Sequence, residues 1–373
     1  MSIVTARMAD SKEDYKKIGI SKDIAIWEDG TRTNGVAGTY EWWYFDCHLK
    51  DGTTIVIVFY TKSLMSPSSK AKPYVKINIT SPNQKTIESV FYSNENDFSF
   101  SKEKCDVRIG KCYFKGDLKN YDIYFIDDKL EVKIGLSSNV QPWRPESGHL
   151  FFGKKDEYYF AWLPSVPEGN VKADVTINGI TKQYTGSGYH DHNWGNCTML
   201  KLMSHWYWGR AKIGNYQLIN SYIYAEKKYG NTEFPIFMVA KDGKIIGDNP
   251  KYLKFTASNS IVDKITNKPV HQILIYDYDD GQQHFKITYE IHSTIVQSEL
   301  IEQIKGVKKI LAKSVGFDGA YHRFLGKVTF ENITNGVVKE TLVDDKAVWE
   351  LMYFGHNQEK KLRSSNLHKW LIN

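Results

Sequence analysis

Residues 186–196 read Gly-Ser-Gly-Tyr-His-Asp-His-Asn-Trp-Gly-Asn, which places two imidazoles, a carboxylate, a phenol and an indole in the short run from Tyr189 to Trp194. Histidine titrates near neutrality and a neighbouring carboxylate raises its proton affinity, so His190, Asp191 and His192 form a composition able to deliver a proton at physiological pH. The same residues also suit a structural role, in which the polar side chains close the mouth of a barrel by bonding backbone groups while Trp194 plugs its end. A His-x-His pair suits zinc, but no third ligand stands at a characteristic spacing, so no metal is expected. The second cluster is Tyr40-Glu41-Trp42-Trp43-Tyr44-Phe45-Asp46. Glu41 is either a buried carboxylate with a perturbed pKa in an aromatic box or a strand carboxylate paired with Arg210 or Arg144, the second being the commoner fate of buried acids.

Tryptophans surround both clusters. Trp42, Trp43, Trp206 and Trp208 lie in strand-like runs, so one of each pair is expected to face inward. An inward ring beside a proton donor would stabilise a cation through its quadrupole. Residues 143–149, Trp-Arg-Pro-Glu-Ser-Gly-His, make a third polar loop that begins with Trp143, and Tyr222 and Tyr224 sit on the strand after the second tryptophan run. Both read first as loop charge and barrel tyrosines. No glycine-rich dinucleotide fingerprint or phosphate loop occurs, and Gly186-Ser187-Gly188 lacks the nucleophile-elbow pattern. Neither a nucleotide cofactor nor serine hydrolysis is supported; no cofactor is expected.

The elements that must position these residues are strands. Residues 53–60, 74–79, 121–125, 171–177 and 272–278 are short, β-branched or aromatic, and mostly alternating. Turn signals such as Asn178-Gly179, Asp242-Gly243, Asp280-Gly281 and Asn335-Gly336 separate strand-like runs and favour tight hairpins. This is the pattern of an up-and-down barrel or a sandwich. A helical period is found mainly from Glu299 to Ala312, where Leu300, Ile301, Ile304, Val307 and Leu311 recur. A faint internal repeat is also present. The run from Trp42 to Phe45 leads into a hairpin through Tyr60 and a strand opened by Pro73, and the run from His205 to Trp208 leads into a hairpin through Tyr224 and a strand opened by Pro235. The expected class is therefore all-β, with two consecutive lipocalin-like antiparallel barrels over residues 1–195 and 196–373 and few helices.

Bulk composition narrows the function. The 373 residues are 41% hydrophobic and 14% aromatic, a density of rings that suits sheet faces and apolar cavities. The net charge of +6 is dispersed, so nucleic acid is not an expected partner. The first twenty residues lack the apolar run of a secretory signal, no window is apolar enough for a membrane helix, and the four cysteines have no paired spacing. Reduced thiols in the cytoplasm, with at most peripheral membrane contact, are the expectation. Residues 359–373 combine Lys and Arg with Leu362, Leu367, Trp370 and Leu371, which fits a packed helix or a foot on a membrane surface. The oligomeric state is not legible.

Three segments taken together resemble the carotenoid hydratase (hydroxyneurosporene synthase) superfamily, which includes AttH-like bacterial proteins and, more distantly, fungal lipocalin-like Diels–Alderases. They are residues 41–45, residues 188–195 and residues 206–210, Trp-Tyr-Trp-Gly-Arg. The resemblance implies two lipocalin-like barrels with a ligand site near their junction. It also implies that His192 and Trp194 match residues the hydratases need when a proton is added to a carbon–carbon double bond and water captures the cation. Those enzymes carry a Tyr-x-Asp pattern on the later strand, where this chain reads Tyr222-Ile223-Tyr224. The function this points to is an enzyme that binds a polyene or isoprenoid-like molecule and promotes acid-initiated cyclisation or hydration. His190, Asp191 and His192 would deliver the proton, hydrogen-bonded by Tyr189 and Tyr222. Glu41, Trp42, Tyr44, Trp143, Trp194, Trp206, Trp208, Arg210 and Tyr224 would contact substrate. A pericyclase that works by folding a polyene into reactive geometry and a hydrophobic-ligand carrier without chemistry are the alternatives.

Overall fold

A computed structural model describes residues 5–63, 68–83, 85–93, 96–303 and 317–355. The chain divides into two compact units, one Met8–Thr198 and the other Met1–Arg7 with Met199–Asn373. Each carries one large sheet.

The first sheet contains β1 (Ala6–Met8), β2 (Tyr40–Leu49), β3 (Thr54–Tyr60), β4 (Tyr74–Thr80), β5 (Thr86–Tyr92), β6 (Phe98–Phe100), β7 (Asp106–Ile109), β8 (Cys112–Gly116), β9 (Asn120–Ile126), β10 (Leu130–Ser138), β11 (His149–Phe152), β12 (Tyr158–Ile177) and β13 (Ile180–Gly195). Its main path runs β5-β4-β3-β2-β13-β12-β10-β9-β8-β7-β6. The second contains β14 (Met203–Ile213), β15 (Tyr216–Ala225), β16 (Glu233–Lys241), β17 (Lys244–Gly247), β18 (Leu253–Val262), β19 (Pro269–Asp279), β20 (His284–Glu299), β21 (Ala320–Thr334) and β22 (Val337–Tyr353). Its order is β17-β16-β15-β14-β22-β21-β20-β19-β18. The fold is all-β, with two lipocalin-like antiparallel barrels.

Alternation explains the cores. In β4, Val75, Ile77 and Ile79 are buried while Lys76 and Asn78 between them are not, and in β9 Tyr121, Ile123 and Phe125 turn inward. The hairpins form at the expected dipeptides. Asn178 and Gly179 take φ of 49° and 82°, Asp242 and Gly243 50° and 80°, and Asn335 and Gly336 51° and 72°, the left-handed pairs that match the twist of the strands they join.

The internal repeat corresponds to strand order: β4-β3-β2-β13-β12 in one sheet parallels β16-β15-β14-β22-β21 in the other. The inward tryptophan expected of each pair is found only once. Trp43 packs in the first core, but in β14 the inward residue is Tyr207, and Trp206 and Trp208, two residues apart, share the other face. Trp43 is thus matched by Tyr207, one residue out of step with an alignment of the tryptophans, and in a strand one residue is one face.

The expected helix starting at Glu299 is not what the described residues form. Glu299 ends β20 by pairing with Ala320, Leu300–Gln303 is a single 3₁₀ turn, and residues 304–312 lie outside the described residues, as does the segment 359–373. Among the described residues no helix is long and apolar enough to cross a membrane.

Candidate functional site: the two faces of one strand

The histidine cluster is part of β13, a strand rather than a loop, and its neighbours therefore diverge. His190 pairs across to Phe45 and His192 to Trp43 on β2, both inward residues, whereas Tyr189, Asp191 and Asn193 face the other way opposite Asp46, Tyr44 and Trp42. On the other side, β12 carries Pro164 and Pro167, which have no N–H for a ladder. The register steps from Leu163↔His192 to Val166↔His190, so Pro164 and Ser165 together oppose the single residue Asp191. This is a β-bulge, a device that re-aims side chains.

The inward partners come from the segment before β2. Ile26–Asp29 form a 3₁₀ turn that ends at Gly30. A Cβ on Gly30 would lie 2.7 Å from the carbonyl oxygen of Lys102, so only glycine lets this turn dock, and the Thr31 N–H then bonds the Ser101 carbonyl at 2.7 Å. Docked there, Asp29 reaches the two imidazoles. Its Oδ2 accepts from the Tyr121 hydroxyl at 2.5 Å and faces His190 Nε2 at 3.1 Å, while Oδ1 stands 3.6 Å from His192 Nδ1. His192 Nε2 lies 2.8 Å from Glu41 Oε1. Glu41 also accepts from the Arg32 N–H at 2.6 Å, the Thr31 hydroxyl at 2.8 Å, the Thr33 N–H at 3.0 Å and the Thr33 hydroxyl at 2.7 Å. Trp43 stacks on His192 with centroids 4.6 Å apart and 11° between planes.

Hydrogen-bond geometry locates the protons. His190 Nδ1 lies 2.8 Å from the Tyr44 carbonyl, which can only accept, so Nδ1 carries hydrogen. Burial pushes the Asp29 carboxyl up, but the charge and hydrogen bond of His190, with His192 and Tyr121, outweigh it and leave the group below its ordinary range. Glu41 behaves in the same way: burial raises it, and His192, Arg32 and Thr33 more than offset that. His190, His192 and Glu41 are fully buried and Asp29 nearly so.

The other face is built differently. Asp191 is 6% exposed, and its Oδ2 accepts from Trp162 Nε1 at 2.8 Å and the Tyr189 hydroxyl at 2.7 Å, while Oδ1 accepts from Asn193 Nδ2 at 2.7 Å. Burial pushes its carboxyl up to about 6 against the pull of those donors and of His190. Trp143 meets Trp162 edge-on at 6.1 Å, and Tyr44 meets Tyr189 edge-on at 6.2 Å while donating to Asp46 at 3.0 Å.

The expected proton-delivery group is therefore two groups. Tyr189 bonds Asp191 as expected, but the Tyr222 hydroxyl donates to Glu233 at 2.7 Å within the second sheet, where Phe255 stacks on its ring at 3.9 Å. Glu41 pairs with His192 and not with Arg144, which binds Glu28 at 3.0 Å. Trp194 lies 4.6 Å from His192 on the inward face, and beyond it His149 is pushed down to about 4 by burial. Trp42 is buried on the outward face, stacked on Tyr40 at 5.7 Å. Trp206 donates to Glu350 at 3.3 Å, Tyr224 stacks on His205 at 4.2 Å, and Trp208 and Arg210 are half-buried on β14.

Asp29, Thr31, Thr33, Tyr121, Trp162 and Asn193 were not singled out from the sequence. The signal available was Glu28-Asp29-Gly30-Thr31-Arg32-Thr33, acids and hydroxyls around a glycine just before a strand.

Asp29, Cys105 and His190 place ligand atoms within 4.8 Å of one another, a spacing that also suits a metal. The donors are engaged already. Asp29 Oδ2 serves Tyr121 and His190, and burial beside Asp29 pushes the Cys105 thiol far up, so it keeps its proton and points it at the Phe114 carbonyl at 3.6 Å. The cluster is a hydrogen-bonded one. A cleft of about 370 Å³ adjoins it, lined by Trp27, Thr31, Arg32, Lys102 and Glu103, and its charged walls do not suit an apolar guest.

The fold defines a lipocalin-like all-β protein. The Diels-Alderase-like family model matches residues 31–256, and the chain belongs to that family. It is 30% identical over 83 residues to the quinolone epoxide rearrangement protein penF of Penicillium thymicola, covering 22% of each chain. It is 26% identical over 215 residues to hydroxyneurosporene dehydrogenase of Chlorobaculum tepidum, covering 47% of this chain and 54% of that one. These matches span about a fifth and about half of the relatives' lengths. Among solved structures, a putative AttH from Nitrosomonas europaea aligns over 90% of this chain and 98% of its own with a TM-score of 0.59 at 11% identity. CghA with Sch210972 aligns over 85% and 89% with a TM-score of 0.56 at 14% identity. Likeness at these identities concerns the fold.

Proposed function

We propose that the chain is an enzyme that takes a small apolar molecule of the polyene or isoprenoid kind and starts its cyclisation, rearrangement or hydration with a proton from Asp191. The observation that carries this reading is the Asp191 carboxyl itself: raised to about 6, buried, and held by three donors beside Trp162 and Tyr189. A general acid works best when its pKa lies near the working pH, and a group poised there can take a proton back as readily as it gives one. Asp191 protonates one carbon of a double bond and the neighbouring carbon becomes cationic. A second double bond or a water then attacks that carbon, and the proton released returns to Asp191. Trp162, Tyr189, Trp42 and Tyr44 supply aromatic faces for the cation on this side of the sheet. His190 and His192 hold the strand from behind. The Diels-Alderase-like family match favours a second reading, a pericyclase that holds the substrate in reactive geometry and transfers no proton.

The test is incubation of the wild type, Asp191→Asn and Trp162→Phe with linear polyenes and isoprenoids in deuterated water, with products read by mass spectrometry. One deuterium at carbon in a cyclised or hydrated product, lost by at least about a hundredfold in Asp191→Asn, is the expected result. Product without deuterium, formed equally by Asp191→Asn, would replace this reading with the pericyclase. Binding without product from any substrate would leave a carrier.

A further inference from the structure

Asp191 and His190 are consecutive on β13 and point to opposite faces, yet they share a partner residue. His190 Nδ1 donates to the carbonyl of Tyr44, and Tyr44 is the residue directly across from Asp191 on β2. The other end of the imidazole is held by Asp29 at 3.1 Å. We propose that Asp29 is a positioning residue for Asp191: through its contact with His190 Nε2 it keeps that ring directly behind the acid and ties down the strand segment that aims it. This rests on the reading of Asp191 as the proton donor.

The groups around each member bear it out. On the outward face Asp191 meets Tyr189, Trp162 and Asn193, with Asp46 beyond Tyr189 as a further negative charge. On the inward face His190 meets Asp29, with the Tyr121 hydroxyl on the same carboxylate and Cys105 beside it, and the rings of Phe114 and Tyr121 at 4.4 and 4.6 Å. His192, the other imidazole, is bonded instead by Glu41. His190 is therefore the inward imidazole nearest to Asp191, and its electrostatic effect favours the ionised form of that acid. Burial alone would carry Asp191 higher, to a pKa at which it would hold its proton too tightly to release it.

The consequence is measurable without a substrate. Trp162 Nε1–H donates to Asp191 Oδ2, so the indole resonance of Trp162 follows the protonation of Asp191. In full-length ¹⁵N-labelled protein, with that resonance assigned by Trp162→Phe, the wild type should titrate with a midpoint near 6. Asp29→Asn should move the midpoint up by about one unit, a tenfold tighter proton. Asp29→Glu should restore the wild-type midpoint, and His190→Gln should reproduce the shift. The double variant Asp29→Asn, His190→Gln should go no further than either single one, because both act through the same imidazole. A midpoint unmoved in Asp29→Asn, or shifts that add in the double variant, would overturn the proposal. If Asp29→Asn does not fold, His190→Gln decides: an unmoved midpoint there overturns it equally. Turnover is not read, so a protein that titrates as stated but makes no product separates failure of the proposed function from failure of this inference.

Discussion

Strands β13 and β22 occupy equivalent places, each closing its sheet's hairpin series by pairing with the first long strand, β13 with β2 and β22 with β14. The inward pairs they form differ in kind. Glu41 with Trp194, Trp43 with His192 and Phe45 with His190 in the first barrel stand against His205 with Tyr353, Tyr207 with Leu351 and Gly209 with Trp349 in the second. At these positions the first barrel has a carboxylate and two imidazoles, joined by Asp29 from the turn before β2, where the second has mostly packed rings and aliphatic side chains. In the second, the one imidazole at these positions lies between Tyr224 and Tyr353 at 4.2 and 5.0 Å, and burial with the nearby His271 and Lys268 charges pushes it down to about 3, so it stays neutral. At these matched positions the first barrel carries the ionisable cluster, and the second serves as a measure of what packing achieves there.

The sharpest way to break this comparison is to remove a carboxylate from one barrel and a branched aliphatic side chain from the other. Glu41→Ala strands the His192 imidazole, two hydroxyls and two backbone N–H groups inside the core, and should cost about 3–5 kcal/mol in denaturant unfolding. A loss under about 1 kcal/mol would mean the cluster is solvated and the contrast false. Leu351→Ala, at the position matching His192, should cost about 3 kcal/mol through its cavity and leave the Trp162 titration where it was.

pH supplies a third test. The folded pKa of Asp191 is raised to about 6. Its contribution to stability is therefore complete below the unfolded carboxylate range and is lost as pH rises through 6. Between pH 5 and pH 7 this should remove about 1.3 kcal/mol, seen as a falling melting temperature that Asp191→Asn abolishes. Asp29 and Glu41, whose carboxyls are depressed, act in the opposite sense and only below about pH 4.5, where their contribution is lost as pH falls. The smallest effect is local: Asn178→Ala, at φ 49° in the β12–β13 turn, should cost about 1 kcal/mol, and a neutral result would mean that the turn is not what fixes the register of β13.

Much of the scaffold was legible because its signals are local. The Asn-Gly and Asp-Gly turns, the alternation in β4 and the tryptophan hairpins each declare themselves within a few residues. The cluster was legible in composition but not in geometry. His190, Asp191 and His192 read as one group only while the segment is taken for a loop, and extending β13 to Gly195 splits them between two faces. The same rule of twos was missed for Trp206 and Trp208. Asp29 was out of reach for another reason: it meets His190 across a separation of 161 residues, through an irregular turn whose docking depends on one glycine. No periodicity marks such a contact.

The central claim is that Asp191 alone among these carboxyls is poised near neutrality. Carboxyl ¹³C chemical shifts followed from pH 3.5 to 8 test it most directly. The account predicts one carboxyl with a midpoint near 6 that disappears in Asp191→Asn, while Asp29 and Glu41 show no transition above pH 4.5. A wild-type protein in which every carboxyl has titrated by pH 4.5 would contradict it.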